Sequence, residues 1–224
     1  HVNVVRVLLE REDIEINRAD NYRATPLFMA CQQGHLDIVN VLLKREDIEI
    51  NQAMKDGVTP LYIACHEGHV NVVRALLQSN EIQINKPMKD GATPLFVVCE
   101  SGHLDIVNVL LQSNEIQINQ AIEDGATPLY IACQEGHLNI VNVLLQSNEI
   151  KINQSMNDGW TPLYVACHQD HLNIVLALLK HRDIQINQAT NEGATPLYIA
   201  CERGHLNVVN VLLQSSKIEI NKPD

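Results

Sequence analysis

The chain repeats itself. The triplet Thr-Pro-Leu begins at Thr25, Thr59, Thr93, Thr127, Thr161 and Thr195, each 34 residues after the last. Cysteine keeps the same step at 31, 65, 99, 133, 167 and 201, and so does histidine at 1, 35, 69, 103, 137, 171 and 205. A spacing held without insertion or loss marks one supersecondary unit copied in tandem, each copy too small to bury a core alone. Six full units follow, near 20–53, 54–87, 88–121, 122–155, 156–189 and 190–224, preceded by the second half of another at 1–19. No linker or shift of composition interrupts them, so a single domain over 1–224 is expected.

One unit is enough to predict the local fold. Asp124-Gly125 is a turn signal, and Thr127-Pro128 supplies an N-cap hydroxyl followed by proline at the first helical position. A short helix should run through Leu129, Tyr130, Ile131, Ala132 and Cys133 and stop at Gly136, a residue free to adopt positive φ. His137 then opens a second helix. Leu138, Val141 and Leu145 fall on one face, and Asn139, Asn142 and Gln146 on the other. Ile150-Lys151-Ile152-Asn153 alternates with period two, which predicts an extended segment leading to the next turn. Neither helix can bury its apolar face alone, whereas stacked neighbours can. The expected fold is an all-α repeat solenoid of stacked helix-loop-helix units, with short β-hairpin-like loops along one edge.

Composition agrees. Hydrophobic residues make up 46% of the 224, enough for a substantial core, but aromatics only 4%, so burial must rest on small layers of aliphatic side chains. The net charge of −11 excludes a basic field, and no Lys/Arg cluster is denser than pairs such as Lys44-Arg45. Nucleic acid and anionic membrane surfaces are therefore not expected partners. The longest apolar run, Ile174 to Leu179, falls far short of the roughly 20 residues of a membrane span. Because the first residues match the middle of a repeat, the chain reads as a segment of a longer protein.

Units such as Asp124-Gly125-Ala126-Thr127-Pro128-Leu129-Tyr130-Ile131-Ala132-Cys133 through Gly136-His137-Leu138-Asn139-Ile140-Val141 resemble ankyrin repeats. The resemblance covers the whole chain and implies a stack of β-hairpins and helix pairs that serves as a protein-binding surface. Three departures stand out. The family's usual unit has about 33 residues and a Gly-Ala after the second helix, whereas Ser147-Asn148-Glu149-Ile150 adds one residue and removes that glycine, so this loop should be reshaped. The family usually reads Thr-Pro-Leu-His, and here the fourth position is Phe28, Tyr62, Phe96, Tyr130, Tyr164 or Tyr198. Arg23 and Asp170 each replace a repeated glycine, and Val98 a small alanine.

Six cysteines could suggest disulfides, but one per unit at one position puts them on neighbouring helices about 8 to 10 Å apart, beyond the roughly 7 Å at which a bridge closes. Free, mostly buried thiols and a reducing, cytoplasmic compartment are expected. The recurring Cys-x-x-x-His, as in Cys65 to His69 and Cys167 to His171, invites a zinc reading. Ligands must converge at about 2.0 to 2.3 Å, whereas a core cysteine and a histidine past the chain reversal should diverge. No metal, cofactor or catalytic residue is expected: nucleophile elbow, phosphate loop and zincin motifs are all missing. Asp56, Asp90, Asp124, Asp158 and Glu192 read as turn residues rather than acid-base pairs.

Stability accounts for the repeated positions and leaves the variable ones to recognition. The resemblance implies that hairpin tips and the outer end of helix one form a concave binding surface. The tips hold Tyr22, Lys55, Lys89, Glu123, Asn157 and Asn191. Before the threonine stand Ala24, Val58, Ala92, Ala126, Trp160 and Ala194. Helix one ends in Gln32, His66, Glu100, Gln134, His168 and Glu202, followed by Gln33, Glu67, Ser101, Glu135, Gln169 and Arg203. Trp160, the only tryptophan, either anchors a partner, as tryptophan does in hot spots, or fills a gap beside the unusual Asp170. His66 and His168 read as solvated histidines or as pH-sensitive contacts. The row Met54, Met88, Ile122 and Met156 suits an adaptable interface and loop-to-loop packing equally.

The function expected is a protein-interaction scaffold, with Tyr22, Lys55, Val58, His66, Lys89, Glu100, Glu123, Gln134, Glu135, Asn157, Trp160, His168, Gln169, Glu202 and Arg203 contacting a protein or peptide. The charge favours a basic partner. The chain is expected to be a monomer capable of end-to-end contacts through the apolar half-repeat His1 to Leu9. The alternative is a structural spacer, or the cytosolic ankyrin segment of a larger channel, enzyme or pathogen effector.

Overall fold

The computed structural model describes residues 2–11 and 13–220. His1 of the histidine series and the last four residues of the sixth unit lie outside the described residues. The chain divides into two compact units, 1–116 and 117–224. Among the described residues there are thirteen helices and no strand.

The first unit contains α1 (Val2–Leu9), α2 (Pro26–Gln32), α3 (Leu36–Leu42), α4 (Pro60–His66), α5 (Val70–Leu76), α6 (Pro94–Ser101) and α7 (Leu104–Leu110). The second contains α8 (Pro128–Gln134), α9 (Leu138–Leu144), α10 (Pro162–His168), α11 (Leu172–Leu179), α12 (Pro196–Glu202) and α13 (Leu206–Leu213). Within each unit, helix one of a repeat packs on helix one of the next, α2 on α4 on α6 and α8 on α10 on α12. The second helices form a parallel layer, α1-α3-α5-α7 and α9-α11-α13. This is an all-α repeat solenoid.

Each helix one starts where the sequence places it. The Thr127 hydroxyl accepts the Tyr130 N–H at 3.1 Å, and the other five threonines cap in the same way with proline behind them. The cap thus uses the backbone of the aromatic residue, which frees its ring to pack. Phe28, Tyr62, Phe96, Tyr130 and Tyr164 are buried, while Tyr198 of the last repeat is exposed. Helix one closes in a left-handed turn at Gly34 or its equivalent, with the His35 N–H donating to the Ala30 carbonyl at 2.9 Å. Asp170 takes this left-handed position in the fifth repeat with φ 59°, and Arg23 takes the hairpin glycine position in the first with φ 70°.

The segment after helix two differs from the expectation. Ile150 to Asn153 is not extended but closes two turns, with the Ile150 N–H donating to the Ser147 carbonyl and Gln154 N–H to Lys151 carbonyl. The alternation reflects a turn that tucks Ile152 inward, not a strand. No neighbouring strand satisfies its backbone; an asparagine of the preceding repeat does. Asn119 donates from Nδ2 to the Glu149 carbonyl at 2.8 Å and accepts the Lys151 N–H on Oδ1 at 2.8 Å. Asn17, Asn51, Asn153 and Asn187 make the same paired bonds to their following repeats. Here the 34-residue unit finds its register.

Candidate protein-binding surface

The repeated polar residues are consumed by the scaffold. His69, His103, His171 and His205 each place Nε2 3.0 to 3.1 Å from the carbonyl that ends helix one of the preceding repeat: Gln32, His66, Gln134 and His168. A carbonyl only accepts, so Nε2 carries the proton. The His69, His103 and His171 rings lie against the helix-end glycines; a Cβ on Gly136 would come within 2.9 Å of the His171 ring. The cysteines serve the core. Cys31, Cys65, Cys99, Cys133 and Cys167 are buried, and Cys201 is exposed. Burial pushes the Cys31 thiol up to about 12 and raises Cys65, Cys99 and Cys167 further, which leaves little reactive thiolate at neutral pH. Among the described residues no group of three or more His, Cys, Asp or Glu converges as a metal site.

The hairpin loops stack on one another through their backbones. In the first unit the Lys89 N–H donates to the Asp56 carbonyl at 3.0 Å, and in the second Asn157 donates to Asp124 and Asn191 to Asp158. Asp56, Asp90, Asp124 and Asp158 accept the N–H two residues on, holding each tip. This tight approach puts Met54, Met88, Ile122 and Met156 in half-buried places between loops. It also buries most residues before the threonine, with Val58 only 8% exposed. Val58 therefore gives a partner little area, because the next loop closes over its position.

In the first unit Tyr22, Lys55, Lys89, His66 and Glu100 are all exposed. Tyr22, at 69% exposed, rims a recess of about 370 Å³ with Met29, Gln32 and Met54. His66 Nδ1 lies 3.2 Å from the Glu67 carboxylate beside it. The Tyr62 phenol is pushed up mainly by burial and then by the negative charge of Asp90 and Glu100.

In the second unit the variable residues converge. Trp160 is half-buried, its backbone fixed by the Asp158 carboxylate and the Met156 N–H. Its ring packs on Tyr164 at 4.8 Å and on His168 at 5.1 Å between centroids. Arg203, one repeat further on, donates to His168 Nε2 at 2.7 Å. A guanidinium cannot accept, so neutral His168 holds its proton on Nδ1, which is buried without a partner. Burial, then Arg203 and His205, hold the His168 pKa below its ordinary value, with Glu202 pulling the other way. The Trp160 ring thus lies along helix one, against Tyr164 and His168. Glu123, Glu135, Asn157, Gln169 and Glu202 are exposed, and Gln134 is half-buried with its amide on Glu135 at 2.9 Å. Burial and then the nearby carboxylates of Asp158 and Asp124 raise the Tyr130 phenol, and burial followed by Glu202 and Glu192 raises that of Tyr164.

The sequence singles out Trp160 and His168 as candidates, and the structure packs both rings together with Tyr164, which variation between repeats does not single out, as it does not the histidine and asparagine ladders. The signals were present: tyrosine at the fourth position, and asparagine every 34 residues from Asn17.

Among curated proteins, no relative matches the chain. The family model for ankyrin repeats in three copies matches residues 1–54, 47–122, 80–156 and 151–224, and so covers the sequence from end to end. Members of that family generally serve as protein–protein interaction modules and are typically non-catalytic. With the Thr-Pro caps, the paired helices and the stacked hairpins in place, the chain belongs to the ankyrin repeat family.

Proposed function

We propose that this chain is a protein-interaction scaffold that holds an extended or helical segment of a partner on its hairpin and helix-one face, with Trp160 as the anchor. One observation carries this: the single tryptophan stands half-exposed on a platform of Tyr164 and His168, locked by Arg203. A large aromatic held in one orientation loses little entropy when a partner covers it. The repeated residues support the same conclusion from the other side, since caps, ladders and core use them up. Carboxylates around the tyrosines, with a net charge of −11, favour a basic segment. Five buried thiols outside any disulfide suit a reducing, cytoplasmic setting.

Selection of peptides from a displayed random library on the full chain should enrich Lys and Arg, and binding should change the fluorescence of the single tryptophan site. Trp160→Ala should weaken those peptides by about tenfold or more, the range of a hot-spot residue, with helical circular dichroism unchanged. Equal binding by the variant removes Trp160 from the site.

A further inference from the structure

The fifth repeat departs from its neighbours on a second surface, the solvent side of helix two. Leu176 stands where the other repeats carry Asn40, Arg74, Asn108, Asn142 and Asn210. Ala177 stands where four of them carry valine. Lys180-His181-Arg182 replaces the Gln-Ser-Asn or Gln-Ser-Ser of most repeats. The three departures meet at one place, a recess of about 420 Å³ between α9 and α11. Leu138, Leu145, Leu176 and Ala177 are its apolar residues, Asn142, Gln146 and Asn173 its uncharged polar ones, and Lys180 and His181 stand at its rim. No carboxylate lines it, in a chain whose net charge is −11.

The groups on the rim are available. Lys180 is exposed at the end of α11 and makes no ion pair among the described residues. His181 accepts the Asp183 N–H on Nδ1 at 3.3 Å, which leaves Nε2–H free to donate. Arg182 is exposed just outside and pairs with Asp183 at 3.2 Å. The corresponding recess of the first unit, between α5 and α7, has its own apolar residues in Leu77, Ile82, Ile84 and Val109, but Arg74 and Glu115 give it both charges.

We propose that the recess between α9 and α11 is a second docking surface, taking an acidic amphipathic helical segment of a partner protein. Leucines of that segment would lie on Leu176, Leu138 and Leu145, and its carboxylates would meet Lys180 and His181. The occupant follows from charge complementarity: the Lys180 ammonium and the His181 Nε2–H rim a leucine-bearing floor that no carboxylate lines. This surface is separate from Trp160, and the two surfaces stand or fall independently.

Two labelled peptides about four turns long, with leucines at i, i+3, i+4 and i+7 and either glutamate or lysine elsewhere, distinguish the possibilities by fluorescence anisotropy on the full chain. The glutamate peptide should bind, more weakly as salt rises, and the lysine peptide should not. Leu176→Asn with Ala177→Val should weaken the glutamate peptide by about tenfold or more. Lys180→Gln with His181→Ser should weaken it several-fold and flatten its salt dependence. Both double variants restore residues that other repeats carry at these places, and circular dichroism verifies their folding. Trp160→Ala should leave this binding unchanged. No binding of the glutamate peptide, equal binding of the lysine peptide, or variants that bind like the parent would overturn the proposal. So would a dimer in sedimentation equilibrium that Leu176→Asn dissolves, since the occupant would then be a second copy.

Discussion

At the hairpin tips of the first unit stand Tyr22, Lys55 and Lys89, all exposed, and neither lysine side chain has a hydrogen-bond partner among the described residues. At the tips of the second stand Glu123, Asn157 and Asn191, and the two asparagine amides reach back to the Glu123 and Asn157 carbonyls at 3.0 and 2.8 Å. The backbone bond between tips is long only beside the left-handed Arg23, 3.4 Å from Lys55 to Tyr22; Lys89 to Asp56 at 3.0 Å matches the 2.8 and 2.9 Å of Asn157 to Asp124 and Asn191 to Asp158. The same repeat scaffold thus carries long, exposed tip side chains in one unit and a stitched edge in the other. The stitched edge is where Trp160, Tyr164, His168 and Arg203 assemble. Ordering side chains before a partner arrives lowers the entropy lost on binding, so preorganisation and the aromatic anchor occur together.

Both units are built on one repeat scaffold, and its helix-end glycines are the places to break it. Gly68→Ala and Gly136→Ala each force a side chain into a left-handed residue and bring Cβ to 2.8 or 2.9 Å from the following His103 or His171 ring. Each should cost about 2 to 4 kcal/mol, read as a lower urea midpoint; a large difference between the two would mean the scaffolds differ. Asn51→Ala and Asn153→Ala remove two bonds to the next repeat, and each should cost about 1 to 3 kcal/mol, again equally. Next in size is the exchange of tips. Asn157→Lys should lose about 0.5 to 1.5 kcal/mol with its amide bond and speed hydrogen exchange at neighbouring tips, while Lys55→Asn should move the first unit the other way. No change in exchange would leave the stitch without effect.

The smallest effect is one of pH. His168 has its pKa lowered in the folded chain, so folding favours the neutral ring. Its contribution to stability is complete above the unfolded pKa of about 6.5 and is lost as pH falls from there toward the lower folded value. His168→Gln should therefore reduce the loss of stability between neutral and mildly acid pH. A parent and variant with parallel pH profiles would remove His168 from the coupling.

The fold was legible because its signals are local. Thr127-Pro128, Gly136 and the apolar stripe Leu138, Val141, Leu145 state where each helix begins, ends and faces, and their step of 34 states that the units stack. The segment Ile150 to Asn153 was misread because alternation reports only which side chains are buried. A turn stabilised by Asn119 satisfies that pattern as well as a strand does, and Asn119 is thirty or more residues away. The candidate surface was legible in part. Position-by-position variation singled out Trp160 and His168, but it could not exclude Val58, whose burial depends on the next loop.

By itself, then, the sequence determined the unit, its helices and their order, since capping and periodicity act within a few residues of one another. Only tertiary structure decided how the repeats interlock and what remains exposed. The imidazole of His171 on the Gln134 carbonyl, the amide of Asn153 on the following repeat and the guanidinium of Arg203 on His168 are bonds between residues 30 to 37 apart. Such bonds arise only after stacking has brought those residues together.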